Sequence, residues 1–328
     1  MDTVEFAVLG AGAMGSIIGA HLARSGHSVV MLARGQRARQ IEQQGLHITG
    51  LSAFSQPVPV MSEASQLRRA KLLILATKTY GTEAALAPLR RADIGAAFSV
   101  QNGLMKNEQL ANAFGRDRVL GALANLSGEL LPSGEVLFTR NAMLTLGELD
   151  GADSARAQQI AATIDASGVR AVASGDILSL EWSKFASWAG MMVLSVTTRA
   201  VSWKYLSDSG SALVLVRLVQ EIGLLAAACG IALSDRSTLP VATICRVSEQ
   251  QALEVVQNAG LEMKSRALKH RMSTLQDLEA GRPLEIEETL GYALREAARL
   301  QLRLPLLDSC YHLVSALDRI RGESRSPS

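Results

Sequence analysis

Gly10-Ala-Gly12-Ala13-Met14-Gly15-Ser16 decides how this chain is read, because of what stands on either side of it. Residues 4–9 are a largely apolar run that suits a buried strand, and residues 13–24 carry helical periodicity. Between a strand and a helix, three glycines at this spacing have separate tasks. Gly10 permits the tight exit from the strand, Gly12 lets the backbone come close to a pyrophosphate, and Gly15 lets the helix pack closely on the sheet. The N–H groups at the helix start then face the anion. A second apolar run, 28–32, follows Gly26 at the interval a βαβ unit needs. The turn therefore predicts a Rossmann-type α/β domain, with Gly10, Gly12, Ala13, Met14 and Gly15 as cofactor-binding residues.

The end of the second run chooses between nicotinamide cofactors. An acid there accepts the ribose 2′-hydroxyl of NAD, whereas an arginine accommodates the 2′-phosphate of NADP. The chain reads Met31-Leu-Ala-Arg34-Gly-Gln-Arg37-Ala-Arg39, with no acid before Glu42. A guanidinium stands at the strand end where a carboxylate is missing, so NADPH is the expected cofactor and Arg34 its 2′-phosphate contact. The competing account of these arginines, a solvated helix start, suits Arg39 best.

Composition permits this and narrows the rest. With 328 residues, 48% of them hydrophobic, the chain can build two domains with substantial cores. A formal charge of +2 with dispersed basic residues leaves no footprint for nucleic acid. The nearest approach to a basic run, 264–271, is interrupted as one helix face would be. Cys229, Cys245 and Cys310 lack CxxC spacing, which fits buried thiols in a reducing compartment. Residues 1–9 read as a strand and not as a charged, then apolar leader, so a cytoplasmic location is expected. The most apolar long stretch, 185–201, is short and broken by Ser and Thr, and no membrane partner is expected.

Further along, 71–76 and 96–100 are apolar runs fit for buried parallel strands, with helical patterns at 81–89 and 107–114. Residues 134–139 and 142–148, parted by Arg140-Asn141, read as a β-hairpin. From about Asp176 the pattern is almost wholly helical, through 212–229, 248–278 and 284–302. The expected organisation is a nucleotide-binding domain over 1–175 and an all-helical domain over 176–320 for substrate and any homodimer contact. A polar, disordered tail is expected over 321–328.

In such an arrangement ligands lie outside the carboxyl ends of the strands, in the cleft beside the helical domain. Three strand ends present polar groups: Arg34, Thr77-Lys78-Thr79 and Gln101-Asn102-Gly103, although Asn-Gly alone is a common turn pair. In the helical half, Glu181-Trp-Ser-Lys184 opens a helix whose period aligns Lys184, Trp188, Met191 or Met192, and Ser195. A lysine heading an apolar stripe either snorkels or faces a polar cavity. Gly281 suits a C-cap and Pro283 a helix start, which puts Glu285 in a first turn, where an acid commonly does no more than complement the dipole.

Together these segments resemble the ketopantoate reductase (2-dehydropantoate 2-reductase) family over nearly the whole chain. The resemblance rests on the order and spacing of Gly10-x-Gly12-Ala-x-Gly15, Arg34, Thr77-Lys78, Gln101-Asn102-Gly103, Glu181-Trp-x-Lys184, and Ser273-x-Leu-Gln276-Asp277 followed by Gly281-Arg-Pro-x-Glu285. It implies that Lys184 is the general acid that protonates a carbonyl oxygen as hydride arrives. It implies further that Glu285 tunes that lysine or holds a substrate hydroxyl, and that Ser273 contacts the substrate carboxylate. Asn102 would lie beside the nicotinamide and Lys78 near the cofactor ribose. Charge develops on oxygen as a ketone is reduced, and a positioned ammonium both stabilises it and supplies a proton.

The chain departs from that family where substrate is read. Asparagines usual one and two turns after the lysine are Trp188 and Met192 here, and one usual a turn before the serine is His270. The expected substrate-binding set is therefore Ser273, Trp188, Met192 and His270, in a site less polar than ketopantoate suits. Trp188 either stacks on a bulky or aromatic substrate or fills core. The expected function is NADPH-dependent reduction of a 2-oxo acid or related small carbonyl compound. The alternatives are a dehydrogenase or imine reductase of the same architecture, and an NADPH-binding protein without catalysis.

Overall fold

The first strand forms the middle of a five-stranded sheet in the computed structural model, which describes residues 3–323. The first compact unit, 1–178, contains β1 (Thr3–Leu9), α1 (Ala13–Arg24), β2 (Val29–Leu32), α2 (Gly35–Gln44), β3 (Leu46–Gly50), β4 (Phe54–Gln56), β5 (Val60–Met61) and β6 (Arg69–Leu75). It continues through α3 (Thr82–Leu86), β7 (Asp93–Ser99), α4 (Met105–Phe114), β8 (Leu120–Leu130), β9 (Val136–Glu148), α5 (Ala155–Ala166) and β10 (Ala171–Ala173). The first sheet has the order β5-β2-β1-β6-β7 and every pair in it is parallel. Its central strands are runs of Val, Ile, Leu and Ala because both faces are covered. Phe6, Val8, Met31 and Phe98 join a core with Ile17 and Ile18 of α1 and with Leu120, Phe138 and Leu144 of a second sheet. Ala7, Leu9, Leu32 and Leu75 join the opposite core with Leu86, Leu89 and Leu110.

The second sheet corrects the expected hairpin within 134–148. Residues 136–148 are one strand, paired antiparallel with β8 along its length, and the turn lies at 131–135, where Gly134 has φ +91°. Arg140 and Asn141 fall where the β8–β9 register shifts, at Asn125/Leu126 and Ser127/Gly128, an irregularity that admits polar residues mid-strand. The Asn141 amide is also satisfied, donating to the Gly168 carbonyl (3.0 Å) and accepting from Arg170 N–H (3.0 Å).

The second unit, 179–328, is helical: α6 (Ile177–Thr198, which opens just before the unit boundary), α7 (Ser202–Ser207), α8 (Ser209–Ala228), α9 (Val241–Arg246) and α10 (Glu249–Arg266), then α11 (Ser273–Glu279), α12 (Tyr292–Arg299) and α13 (Pro305–Glu323). Ser248 and Gln251 cap α10 reciprocally. By length and composition, α8 is apolar enough to cross a membrane, but Leu215, Val216, Leu218, Val219 and Ile222 are core residues of this unit.

Two expectations fail here. Pro283 does not open a helix: Leu284 N–H is bound by Asp318 Oδ2 (3.2 Å), and helical structure begins only with a π turn at Glu287–Gly291, so Glu285 precedes the helix. Nor is the whole of 321–328 a disordered tail, since Arg321 lies within α13. Its guanidinium donates to the carbonyls of Leu278 and Arg282 and to Asp318 Oδ1, joining α13 to the end of α11 and the stretch that follows. Residues 324–328 lie outside the described residues.

Candidate active site

Strand register brings the predicted polar ends together. Leu9 stands opposite Leu32 and Leu75, and Leu75 opposite Ser99. The pairing continues one residue further, with Gly10 N–H on the Leu32 carbonyl (3.0 Å), Ala76 N–H on Leu9 (2.8 Å) and Val100 N–H on Leu75 (3.0 Å). The glycine turn, Arg34, Thr77-Lys78 and Gln101-Asn102 thus leave the sheet at one edge, the carboxyl edge where parallel sheets bind ligands.

The glycines have the separate constraints that their spacing implies. Gly10 has φ +107°, and a Cβ there would lie 2.7 Å from Thr77 N. A Cβ on Gly15 would strike the Gly10 carbonyl oxygen, which fixes how closely α1 approaches the turn. At Gly12 a Cβ would meet nothing within 4 Å, so this side of the backbone faces open space. Gly12 is also the N-cap residue and brings no side-chain oxygen to the first turn of α1. An uncapped helix start behind an open glycine fits the pyrophosphate of a dinucleotide.

The arginines after β2 divide. Arg34 is exposed at the N-cap of α2. Arg37, one turn on, points inward: Nε donates to the Ala11 carbonyl (3.0 Å), Nη1 to the Gly134 carbonyl (2.8 Å) and Gln40 Oε1 (3.0 Å), and Nη2 to Ser16 Oγ (3.1 Å). The sequence marked Arg37 only as one of three arginines after β2, open to the reading of a solvated helix start, and its partners lie up to 97 positions away.

Gln101 is likewise a fastener. Its amide donates to the Thr77 carbonyl (3.0 Å) and Thr82 Oγ1 (2.8 Å) and accepts from Ser99 Oγ (2.9 Å), which sets the strand ends on either side of Lys78 and Asn102. Lys106, unremarked in the sequence, is 5% exposed and donates from Nζ to the Gln101 carbonyl (3.1 Å) and the Ala122 carbonyl.

In the helical unit, Lys184 is half-buried on α6 among buried Glu181, Ser183 and Phe185. Trp188, one turn on, stacks on Phe185 (6.4 Å between centroids, 27° between planes) and is 7% exposed, whereas Met192 is fully buried. Ser273 is exposed as the first residue of α11. Glu285 is half-buried, and its carbonyl accepts from Thr289 Oγ1. Gly281 (φ +71°) ends α11 in a Schellman arrangement, with Arg282 N–H on Asp277 O (2.8 Å) and Gly281 N–H on Leu278 O (3.2 Å). Buried Asp277 also receives Arg282 Nε at 2.6 Å.

His270 is engaged by α7: its Nδ1 shares a hydrogen bond with Ser202 Oγ (2.8 Å), its carbonyl accepts from Ser202 N–H (2.9 Å), and Tyr205 OH donates to the same Ser202 Oγ (2.9 Å). Burial pushes the Tyr205 hydroxyl up to about 12, which keeps it a neutral donor. Burial also raises all three cysteine thiols. Among the described residues no cluster of His, Cys, Asp or Glu is placed to hold a metal.

Both halves match models of one family. The model described as ketopantoate reductase PanE/ApbA matches residues 6–151, and its C-terminal counterpart matches 176–318. A 2-dehydropantoate 2-reductase of Archaeoglobus fulgidus is 25% identical over 95% of this chain and 97% of its own. The crystal structure of 2-dehydropantoate 2-reductase from Methylococcus capsulatus is 26% identical, with a TM-score of 0.80 over 99% of each chain. D-mandelate dehydrogenase, solved with NADH and anilino(oxo)acetate, shares the fold at 21% identity, with a TM-score of 0.83 over 97% of this chain and 99% of its own.

Proposed function

Because the chain belongs to the ketopantoate reductase PanE/ApbA family, a family of NAD(P)H-dependent oxidoreductases, we propose that it reduces a 2-oxo acid or related carbonyl compound with NADPH. The observation that carries the cofactor reading is the glycine turn with open space at Gly12, at the same sheet edge as Arg34, Lys78 and Asn102. Residues 1–175 are assigned to the cofactor and the helical residues 176–320 to the substrate.

A nicotinamide bound here would supply the hydride for the carbonyl carbon. The first-turn amides of α1 would hold the pyrophosphate, Arg34 the 2′-phosphate and Lys78 a cofactor ribose, while Asn102 would lie beside the nicotinamide and the reacting group. Lys184 Nζ passes a proton to the carbonyl oxygen as charge develops there, with Glu285 holding that ammonium or a substrate hydroxyl, and Ser273 Oγ donating to the substrate carboxylate. Trp188 retains some accessible surface and Met192 has none, so Trp188 is the residue assigned to the substrate, with Met192 behind it. An indole in place of a family amide favours bulk and apolarity over the hydroxyls of ketopantoate. The anilino(oxo)acetate bound by D-mandelate dehydrogenase illustrates a 2-oxo compound of that kind.

Lys184→Ala tests the chemistry. It should lower kcat by roughly a hundredfold or more, the scale of a lost general acid, with NADPH affinity unchanged. Normal turnover in that variant would leave Lys184 a structural residue of α6.

A further inference from the structure

We propose that Arg37 is a positioning residue that braces the pyrophosphate turn for either nicotinamide cofactor, leaving discrimination of the 2′-phosphate to Arg34. The inference rests on the cofactor reading above and extends it to a residue that need not touch the cofactor. Arg37 holds the carbonyl of Ala11, between Gly10 and Gly12, and Ser16 Oγ, which itself donates to the Ala11 carbonyl (3.1 Å). Its other arm holds the Gly134 carbonyl at the β8–β9 turn, and Gln40 adds a second tie there through its amide on the Ser133 carbonyl (2.7 Å). The turn with the open face at Gly12 is thereby fastened both to α2 and to the second sheet.

The charge is spent on this bracing. Burial presses the Arg37 guanidinium below its ordinary arginine value, and each of its three nitrogens donates to a protein acceptor. Arg34, by contrast, is exposed at the strand end. A planar fork can serve acceptors on three segments at once, whereas a lysine ammonium acts as a single compact charge. Pinning the Ala11 carbonyl orients the peptide that leads into Gly12, and so the amides a pyrophosphate would meet. An unbraced turn must be ordered on binding, a cost that falls equally on NADPH and NADH.

The test is cofactor affinity by titration of reduced-cofactor fluorescence in wild type, Arg37→Met, Arg37→Lys and Ser16→Ala, with melting temperature measured on each. Arg37→Met and Arg37→Lys are expected to weaken NADPH and NADH by the same factor, about tenfold, the scale of one charge-assisted hydrogen bond. Ser16→Ala, which removes one of the guanidinium's acceptors and keeps every charge, should weaken both by about threefold and carries the test if Arg37→Met does not fold. A loss confined to NADPH would overturn the proposal by making Arg37 itself a 2′-phosphate ligand. Wild-type affinity in Arg37→Lys would overturn it too, since charge alone would then suffice. So would unchanged affinities in folded Arg37→Met. Equal affinity of wild type for both cofactors would instead contradict the NADPH assignment and leave the common factor measurable.

Discussion

In the proposed function Arg34 is assigned the choice of cofactor and Trp188 the choice of substrate, and each assignment has a separable consequence. Because Arg34 is exposed, Arg34→Ala should shift stability by no more than about 0.5 kcal/mol. Wild type should prefer NADPH over NADH at least about tenfold, near 1.4 kcal/mol, and the variant should lose most of that preference with NADH affinity unchanged. Equal binding of both cofactors by wild type would remove the assignment. Trp188→Asn should move the ratio of kcat/KM toward ketopantoate and away from bulkier 2-oxo acids, and an unmoved ratio would return Trp188 to the core.

A third residue reports on pH. His21 is buried between the Ile17 carbonyl and Ser52 Oγ, edge-on to Phe54 and Phe138, and burial lowers its pKa against the opposing pull of the Ile17 carbonyl. The unfolded chain therefore takes up the proton first. The contribution of neutral His21 is complete above the ordinary value, about 6.5, and is lost as pH falls from there through the folded value. Urea unfolding from about pH 7.5 to pH 5 should show wild-type stability declining more steeply than that of His21→Gln, and parallel profiles would refute this. The glycine turn was legible residue by residue because its constraints are local. Arg37 and His21 were not, since Gly134 for the one and Ser52, Phe54 and Phe138 for the other arrive from distant segments.

At the scale of elements, the errors share a cause. A polar pair inside a strand and a proline before a helix are ordinary stop and start signals, and tertiary partners overrode both. Asn141 is satisfied by 168–170, and Leu284 N–H by Asp318, so β9 runs through and the last helices begin late. Arg321, read as part of a polar tail, ties α13 to α11 and to the backbone leading to Glu285. Arg321→Ala should cost about 1–3 kcal/mol by calorimetry, because it leaves the Leu278 and Arg282 carbonyls without this donor. An unchanged melting temperature would show the network to be dispensable. The pair of Glu148 and Arg156, bidentate at 2.7 and 2.6 Å, fastens β9 to α5, and the guanidinium holds the Glu148 carboxyl below the usual range. Its contribution is present above the ordinary carboxylate value and disappears as pH falls through the lower folded one. Glu148→Gln should therefore flatten the acid limb of the stability profile, and an unaltered limb would contradict that.

For the whole molecule, alternating strands and helices followed by unbroken helical periodicity made the architecture legible, because parallel strands buried on both faces and helices buried on one leave different apolar periods. The residues proposed for the chemistry were less legible: Lys184 lies on α6, Ser273 opens α11 and Glu285 stands in the stretch before the π turn, and their order in a family pattern brought them together. The proposed reaction is reduction of a 2-oxo acid by this chain. Its most direct test is the loss of NADPH absorbance when the purified protein is given a panel of 2-oxo acids, ketopantoate and aryl compounds included. Turnover with at least one of them, fastest with a bulkier acid than ketopantoate and lowered roughly a hundredfold or more in Lys184→Ala, is the predicted result. Tight NADPH binding with no oxidation across the whole panel would contradict it.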